Sequence, residues 1–229
     1  MLKIYGVPIS VHTRKAIVVA NLKGLPYELV QVVPVIPGNP PPNWRELSPT
    51  GRIPAMADGD FTIADSTAIC TYLDRRHPAA PVYPTDPRQL AQVLALEAYA
   101  GEQMFGRVVR PLFHEVFVHP KVRNQPTDQA LIDGVLTQDL PEVFGTLDGH
   151  ASGTYLVGDT LSVADIAVTS NLLTFQYCGF ELDRRRYPRL AALFDRVAGH
   201  PAVRQALQSE APVVESMGLR GDCLKQLLN

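Results

Sequence analysis

The stretch Gly51-Arg52-Ile53-Pro54-Ala55-Met56-Ala57-Asp58-Gly59-Asp60-Phe61-Thr62-Ile63-Ala64-Asp65-Ser66-Thr67-Ala68-Ile69-Cys70-Thr71-Tyr72-Leu73-Asp74-Arg75-Arg76 carries the densest structural signal in the chain. Its opening, Arg52 to Met56, predicts a strand entered through a proline. Asp58-Gly59-Asp60 supplies a hairpin turn, because Asp-Gly tolerates the positive φ of a tight turn. Phe61-Thr62-Ile63 alternates apolar and polar as a return strand does. Asp65-Ser66 then precedes Ala68, Ile69, Tyr72 and Leu73, an apolar set at helical spacing. A strand that starts at a proline, beside a helix that starts at Asp-Ser, brings backbone hydrogen-bond groups and a positive dipole end to one spot. That spot suits a small ligand with a peptide-like edge and a carboxylate.

On the N-terminal side, Leu2-Lys3-Ile4-Tyr5 predicts a short strand closed by Gly6-Val7-Pro8-Ile9. Ser10 precedes a helix that Gly24 ends. Leu25 to Val33 is a second strand, and strand–helix–strand in that order gives a right-handed crossover and a parallel pair. Pro34 to Pro42 holds five prolines and Gly38, hence an irregular loop. Trp44-Arg45-Glu46-Leu47 allows one helical turn. The order is then βαβ followed by ββα.

On the C-terminal side, the segment from His77 to Pro87 contains four prolines and reads as a linker. Everything beyond it reads as helix. A long helix runs from Arg88 to about His119, with Pro111 expected to kink or interrupt it. Pro120 to Pro126 is loop-like, and Thr127 is expected to open a helix to about Gly149. In Leu161-Ser162-Val163-Ala164-Asp165-Ile166, Ser162 caps a helix, Asp165 reaches back to it, and Leu161 and Ile166 form a hydrophobic staple. Tyr187-Pro188 and His200-Pro201 start two more helices. The boundaries expected are residues 1–78 for the first domain, 79–87 for the linker and 88–229 for the helical domain.

With 229 residues, 46% of them hydrophobic, the chain is long enough for two ordinary cores. The net charge of −2 gives no basic excess for nucleic acid or an anionic membrane. No apolar run approaches the roughly 20 residues that span a bilayer. The start lacks the charged-then-apolar build of a signal peptide. Three scattered cysteines, Cys70, Cys178 and Cys223, suit a reducing cytoplasm. None of them lies in the first 69 residues, which disfavours exchange chemistry through a mixed disulfide.

Ile53-Pro54 followed by Phe61-Thr62-Ile63-Ala64-Asp65-Ser66-Thr67-Ala68-Ile69 resembles the glutathione-binding half of the glutathione S-transferases. The likeness continues through Ser162-x-x-Asp165, Tyr187-Pro188 and His200-Pro201, so it covers nearly the whole chain. It implies a thioredoxin-like α/β domain with a mixed sheet, followed by an all-α domain. It also implies a cis bond before Pro54, which turns the backbone N–H and C=O of Ile53 toward the cysteinyl part of glutathione. Ser66, with hydroxyl and N–H, would meet the γ-glutamyl carboxylate, and Asp65, where the family more often has Glu or Gln, the γ-glutamyl amino group. Arg52 would meet the glycyl carboxylate, with Arg45 as a helper, since no cation stands between Gln31 and Trp44.

The resemblance is to serine-type members, theta-like or phi-like and bacterial in style, and it implies that Ser10 stabilises the thiolate of glutathione. Ser10 is also an ordinary N-cap, and the two roles are compatible. A helix N-terminus plus donors lowers a thiol pKa from about 8.5 to below neutrality. Tyr5 is the competing donor, although a packed strand aromatic is the preferred reading of it. His12 and Thr13 are read as solvated or packed residues and are left out of the site. Tyr99, Gln103, Met104 and Arg107 are candidate wall residues for a second, hydrophobic electrophile. The function expected is conjugation of glutathione, as co-substrate and without metal, by a cytoplasmic homodimer. Alternatives are a non-catalytic glutathione-binding or interaction module, or a glutathione-dependent isomerase or dehalogenase.

Overall fold

The computed structural model describes residues 1–36 and 38–228; Pro37, inside the expected proline-rich loop, and Asn229 lie outside the described residues. The first half contains β1 (Leu2–Gly6), α1 (Val11–Leu22), β2 (Tyr27–Gln31), α2 (Trp44–Leu47), β3 (Ala55–Asp58), β4 (Phe61–Ala64) and α3 (Ser66–Arg76). The sheet order is β2-β1-β3-β4, with β1 parallel to β2 and the other pairs antiparallel. This is the mixed thioredoxin-like sheet that the βαβ-ββα order implies. Asp58 pairs with Phe61 across the two-residue turn Gly59-Asp60, and Gly59, at the first central position, takes φ 63°, a positive value that favours glycine there. The third strand starts at Ala55, not at Arg52, because Pro54 has no N–H to give to the ladder.

Along β1 the side chains alternate between faces. Leu2 and Ile4 join the main core with Ile17, Ile69 and Leu73, while Tyr5 points to a smaller cluster with Val32, Trp44 and Ala55. Gly6 is needed for a close approach: a Cβ there would lie 2.4 Å from Thr13 Oγ1.

The second half is helical. From Pro87 to Val122 the helix does not break; it alternates α4 (Pro87–Tyr99) and α5 (Arg110–Phe113) with wide π-type turns over Ala100–Val109 and His114–Val122. The expected interruption at Pro111 therefore becomes a change of hydrogen-bond register, which accommodates a residue with no N–H to donate. The helix also runs through Pro120, expected to lie in a loop. The return helix comprises α6 (Gln129–Gly134), a wide turn at Val135–Asp139 and α7 (Leu140–His150). Its cap is Asp128, whose carboxylate accepts from Leu131 N–H at 3.0 Å. Thr127, expected to open the helix, instead precedes that cap and donates its hydroxyl to the Glu115 carbonyl.

Helices α8 (Val163–Tyr177), α9 (Pro188–Ala198), α10 (Pro201–Ser216) and α11 (Asp222–Leu228) complete the chain. Asp165 accepts from Ser162 N–H at 2.8 Å, as expected, and also from the Ser162 hydroxyl and Leu156 N–H. The α8 helix is buried on nearly every side, and α1 packs against both α8 and α10. One continuous apolar core consequently joins the two halves, from Ile4 and Ile17 to Leu172 and Leu207.

Candidate active site

The residues expected to bind glutathione are arranged around the end of β1. Tyr5 pairs with Ala55, so Pro54 lies level with Gly6, at the point where the chain leaves the sheet toward Ser10. The Ile53–Pro54 bond is cis. Ile53 lies outside the ladder, and among the described residues its backbone N–H and C=O form no hydrogen bond. Pro54 C=O accepts from Asp65 N–H at 3.3 Å, which fastens this loop to the start of α3.

Two helix N-termini meet here. Lys15, in the second turn of α1, donates to Thr67 Oγ1, in the first turn of α3, at 3.2 Å, and both bond Glu97 from α4. At the head of α1, Ser10 is half-buried and caps the helix. Its oxygen accepts from Thr13 N–H at only 3.4 Å, a long contact. The hydroxyl proton has no acceptor among the described residues, so it is free to meet an anion beside the positive helix end.

At the head of α3, Asp65 caps with one carboxylate oxygen, accepting from Thr67 N–H at 2.9 Å and Ala68 N–H at 3.1 Å. The other oxygen is unbonded among the described residues. Asp65 has φ 85° and ψ 129°, a region costly for a residue with a Cβ, on the order of 1–3 kcal/mol. Such strain collects at ligand sites. The Ser66 hydroxyl and N–H also lack protein partners among the described residues, although the residue is buried. Arg52 is exposed with its guanidinium unbonded among the described residues. Arg45 folds over Gly51 and donates to the Pro49 carbonyl at 3.1 Å.

His12 belongs to this neighbourhood. Burial and the nearby Lys15 push its pKa down to about 4, with Asp65 opposing and Arg52 adding to the shift. Its ring meets Phe105 edge-on, with centroids 4.7 Å apart. The imidazole is thus neutral at pH 7 and too weak a base to hold a thiol proton. The sequence marks His12 as solvated or packed and does not single out Phe105. His12 gives a faint signal in standing two places after Ser10, but Phe105 gives none, because only packing of the long helix on α1 brings it there.

The four expected wall residues are not gathered at this point. Met104 is fully buried in the core. Arg107 lies two residues beyond Phe105, hence on another helix face, and pairs with Glu142 and Asp139, which hold its charge. Gln103 accepts from Arg107 at 3.1 Å. Tyr99 lines a separate hollow of about 370 Å³ with Gln92, His150 and Leu156. Tyr5 sits in the Trp44 cluster, 6.4 Å between ring centroids. The three cysteines are buried, and burial pushes the thiols of Cys70 and Cys178 up to about 12 and that of Cys223 to about 11, which disfavours the reactive thiolate.

The fold is thus a thioredoxin-like domain with a cis-proline loop, joined to an all-helical half. Residues 4–81 match the model of the glutathione S-transferase N-terminal domain, and residues 112–210 that of the C-terminal domain. A glutathione S-transferase of Triticum aestivum is 28% identical over 219 residues, covering 91% of this chain and 94% of its own. Glutathione S-transferase 3 of Zea mays is 30% identical over 165 residues, covering 72% and 73%. A crystal structure of a glutathione S-transferase from Rhodospirillum rubrum superposes with a TM-score of 0.81 at 24% identity, covering 90% of this chain and 92% of that one. The chain belongs to the glutathione S-transferase family and is an enzyme of that kind, with glutathione as co-substrate.

Proposed function

We propose that the protein is a serine-type transferase in which the Ser10 hydroxyl donates to the glutathione sulfur and keeps it as thiolate. The single observation that carries this is that the Ser10 O–H, at the capped, positive end of α1, meets no acceptor among the described residues. The thiol loses its proton to water. The sulfur lone pair then forms a carbon–sulfur bond to the electrophile, and the leaving group departs with its electron pair. Proximity and electrostatic stabilisation supply the rate, with no covalent enzyme intermediate.

The glutathione backbone would pair with Ile53 beside Pro54. Its γ-glutamyl carboxylate would meet Ser66, and its amino group the free oxygen of Asp65. Its glycyl carboxylate would meet Arg52, with Arg45 engaged elsewhere. Residues 1–78 would form the glutathione domain, 79–87 the linker, and 88–229 the domain that presents a hydrophobic electrophile. Phe105 and His12, not Met104 or Arg107, are the better wall for that electrophile. A cytoplasmic homodimer is the assembly this reading favours.

The test is Ser10→Ala, followed by conjugation to a generic aryl halide against pH and by calorimetry with glutathione. Loss of turnover with binding retained, and a higher titration point of the bound thiol, support the reading. Binding without turnover in the unsubstituted protein would favour a carrier instead.

A further inference from the structure

Arg14 is wholly buried, yet every nitrogen of its guanidinium is bonded. Nε donates to Glu210 Oε1 at 2.6 Å, and Nη2 to Glu210 Oε2 at 2.7 Å. Nη1 donates to the Ser170 carbonyl at 2.6 Å and to Thr174 Oγ1 at 3.2 Å. Nη2 also reaches the Ile9 carbonyl at 3.2 Å, which the Thr174 hydroxyl approaches at 3.4 Å. Glu210 in turn accepts from the Tyr177 hydroxyl at 2.9 Å. Burial works against the Arg14 charge, but the Glu210 carboxylate outweighs it and keeps the pKa above the ordinary value.

The Ile9 carbonyl belongs to the peptide unit that ends in the Ser10 nitrogen. Its oxygen is clamped by Arg14 and Thr174, and its N–H donates to the Val7 carbonyl at 3.1 Å. A peptide unit is planar, so fixing both edges of this one fixes the Ser10 N–Cα bond. The Ser10 carbonyl, which accepts from Arg14 N–H at 2.8 Å, holds the following unit, so that the two planes together set the direction of the Ser10 Cα–Cβ bond. We infer that Glu210, acting through Arg14, is a positioning residue for Ser10. A carboxylate on α10 thereby aims the hydroxyl at the head of α1. The inference rests on the proposed role of Ser10. A displacement of 1 Å at a reacting group costs on the order of a hundredfold in rate, so a loosened clamp has a measurable effect.

A buried ion pair also serves folding, and the experiment must separate the two roles. The pair Lys23–Asp74, buried at the other end of the same helix, touches nothing near Ser10 and provides the control. The variants are Glu210→Gln, the double substitution Arg14→Met with Glu210→Met, Asp74→Asn and Ser10→Ala. The double variant replaces both charges by apolar side chains and leaves no unpaired charge in the interior, a change that buried pairs tolerate, so it keeps the fold where Glu210→Gln does not. For each, the thiol of bound glutathione is titrated by its thiolate absorbance, and melting is recorded.

The expected result is that the double variant melts near the unsubstituted protein but titrates about one pH unit higher, about a tenfold loss of thiolate below that pH. Asp74→Asn should melt lower with the titration unmoved. If Ser10→Ala moves the titration and the double variant does not, the positioning role is overturned while Ser10 stands. If Ser10→Ala leaves it unmoved, both readings fall. A shift in Asp74→Asn as large as in the double variant would assign the effect to lost stability and overturn the inference.

Discussion

Ser10 and His12 share the first turn of α1 and divide its work by polarity. The Ser10 O–H meets no acceptor among the described residues, and its oxygen takes one long bond from Thr13 N–H. His12 is held neutral by burial, with Lys15 adding to it. Replacing Ser10 by alanine removes a donor to an anion. If the site lowers the thiol pKa by about two units, about 2.7 kcal/mol is at stake. The expected outcome is a rise in the bound thiol pKa by a unit or more, with turnover near neutral pH falling about tenfold, read from pH–rate profiles. His12 makes a separate prediction. Its folded pKa lies below the unfolded 6.5, so its contribution to stability is complete above pH 6.5. That contribution is lost as pH falls toward about 4, at up to about 1.4 kcal/mol per pH unit. Urea midpoints measured across that window should fall less steeply in His12→Asn. Some slope should remain from His114 and His200, whose pKa values burial also lowers.

Helix α8 depends on its cap more than an exposed helix would. Asp165 is buried and accepts from Ser162 N–H, the Ser162 hydroxyl and Leu156 N–H. Asp165→Ala strips the cap and orphans two backbone donors, at a cost of about 3 kcal/mol in denaturant unfolding. Asp165→Asn should recover part of it by shape. The long helix teaches a different lesson. Pro111 and Pro120 in its sequence argue for breaks, yet the helix continues to Val122 because wide turns absorb the missing N–H groups. Its register, and therefore which residues face α1, changes within those turns. Within the first of them Phe105 meets His12, while Arg107, two residues on and so on another face, turns to Glu142 and Asp139.

Across the whole molecule the two halves share one core and several buried polar ties. Lys15 and Thr67 bond Glu97, and the linker is pinned at both sides, Val82 N–H to Asp74 at 2.9 Å and Val163 N–H to the Val82 carbonyl at 3.0 Å. Calorimetry should therefore show a single unfolding transition; two resolved peaks would refute a shared core. Lys15→Met strands Glu97 in the interior and should cost about 3–5 kcal/mol, since breaking a buried pair leaves an uncompensated charge.

Local chemistry made much of this legible in advance. The Asp-Gly hairpin, the Ser10, Asp65 and Ser162 caps and the strand alternation each depend on residues within a few positions of one another, and such information is written along the chain. The segment from Gly51 to Arg76 thus specified a hairpin and a helix start without further help. Convergence of distant parts was not legible. Phe105 beside His12, Glu210 behind Ile9 and the pinned linker all join residues far apart in sequence. Their contacts arise from burying one continuous apolar surface, which no local pattern encodes, and the path of the long helix depends on turns that its prolines alone would not suggest.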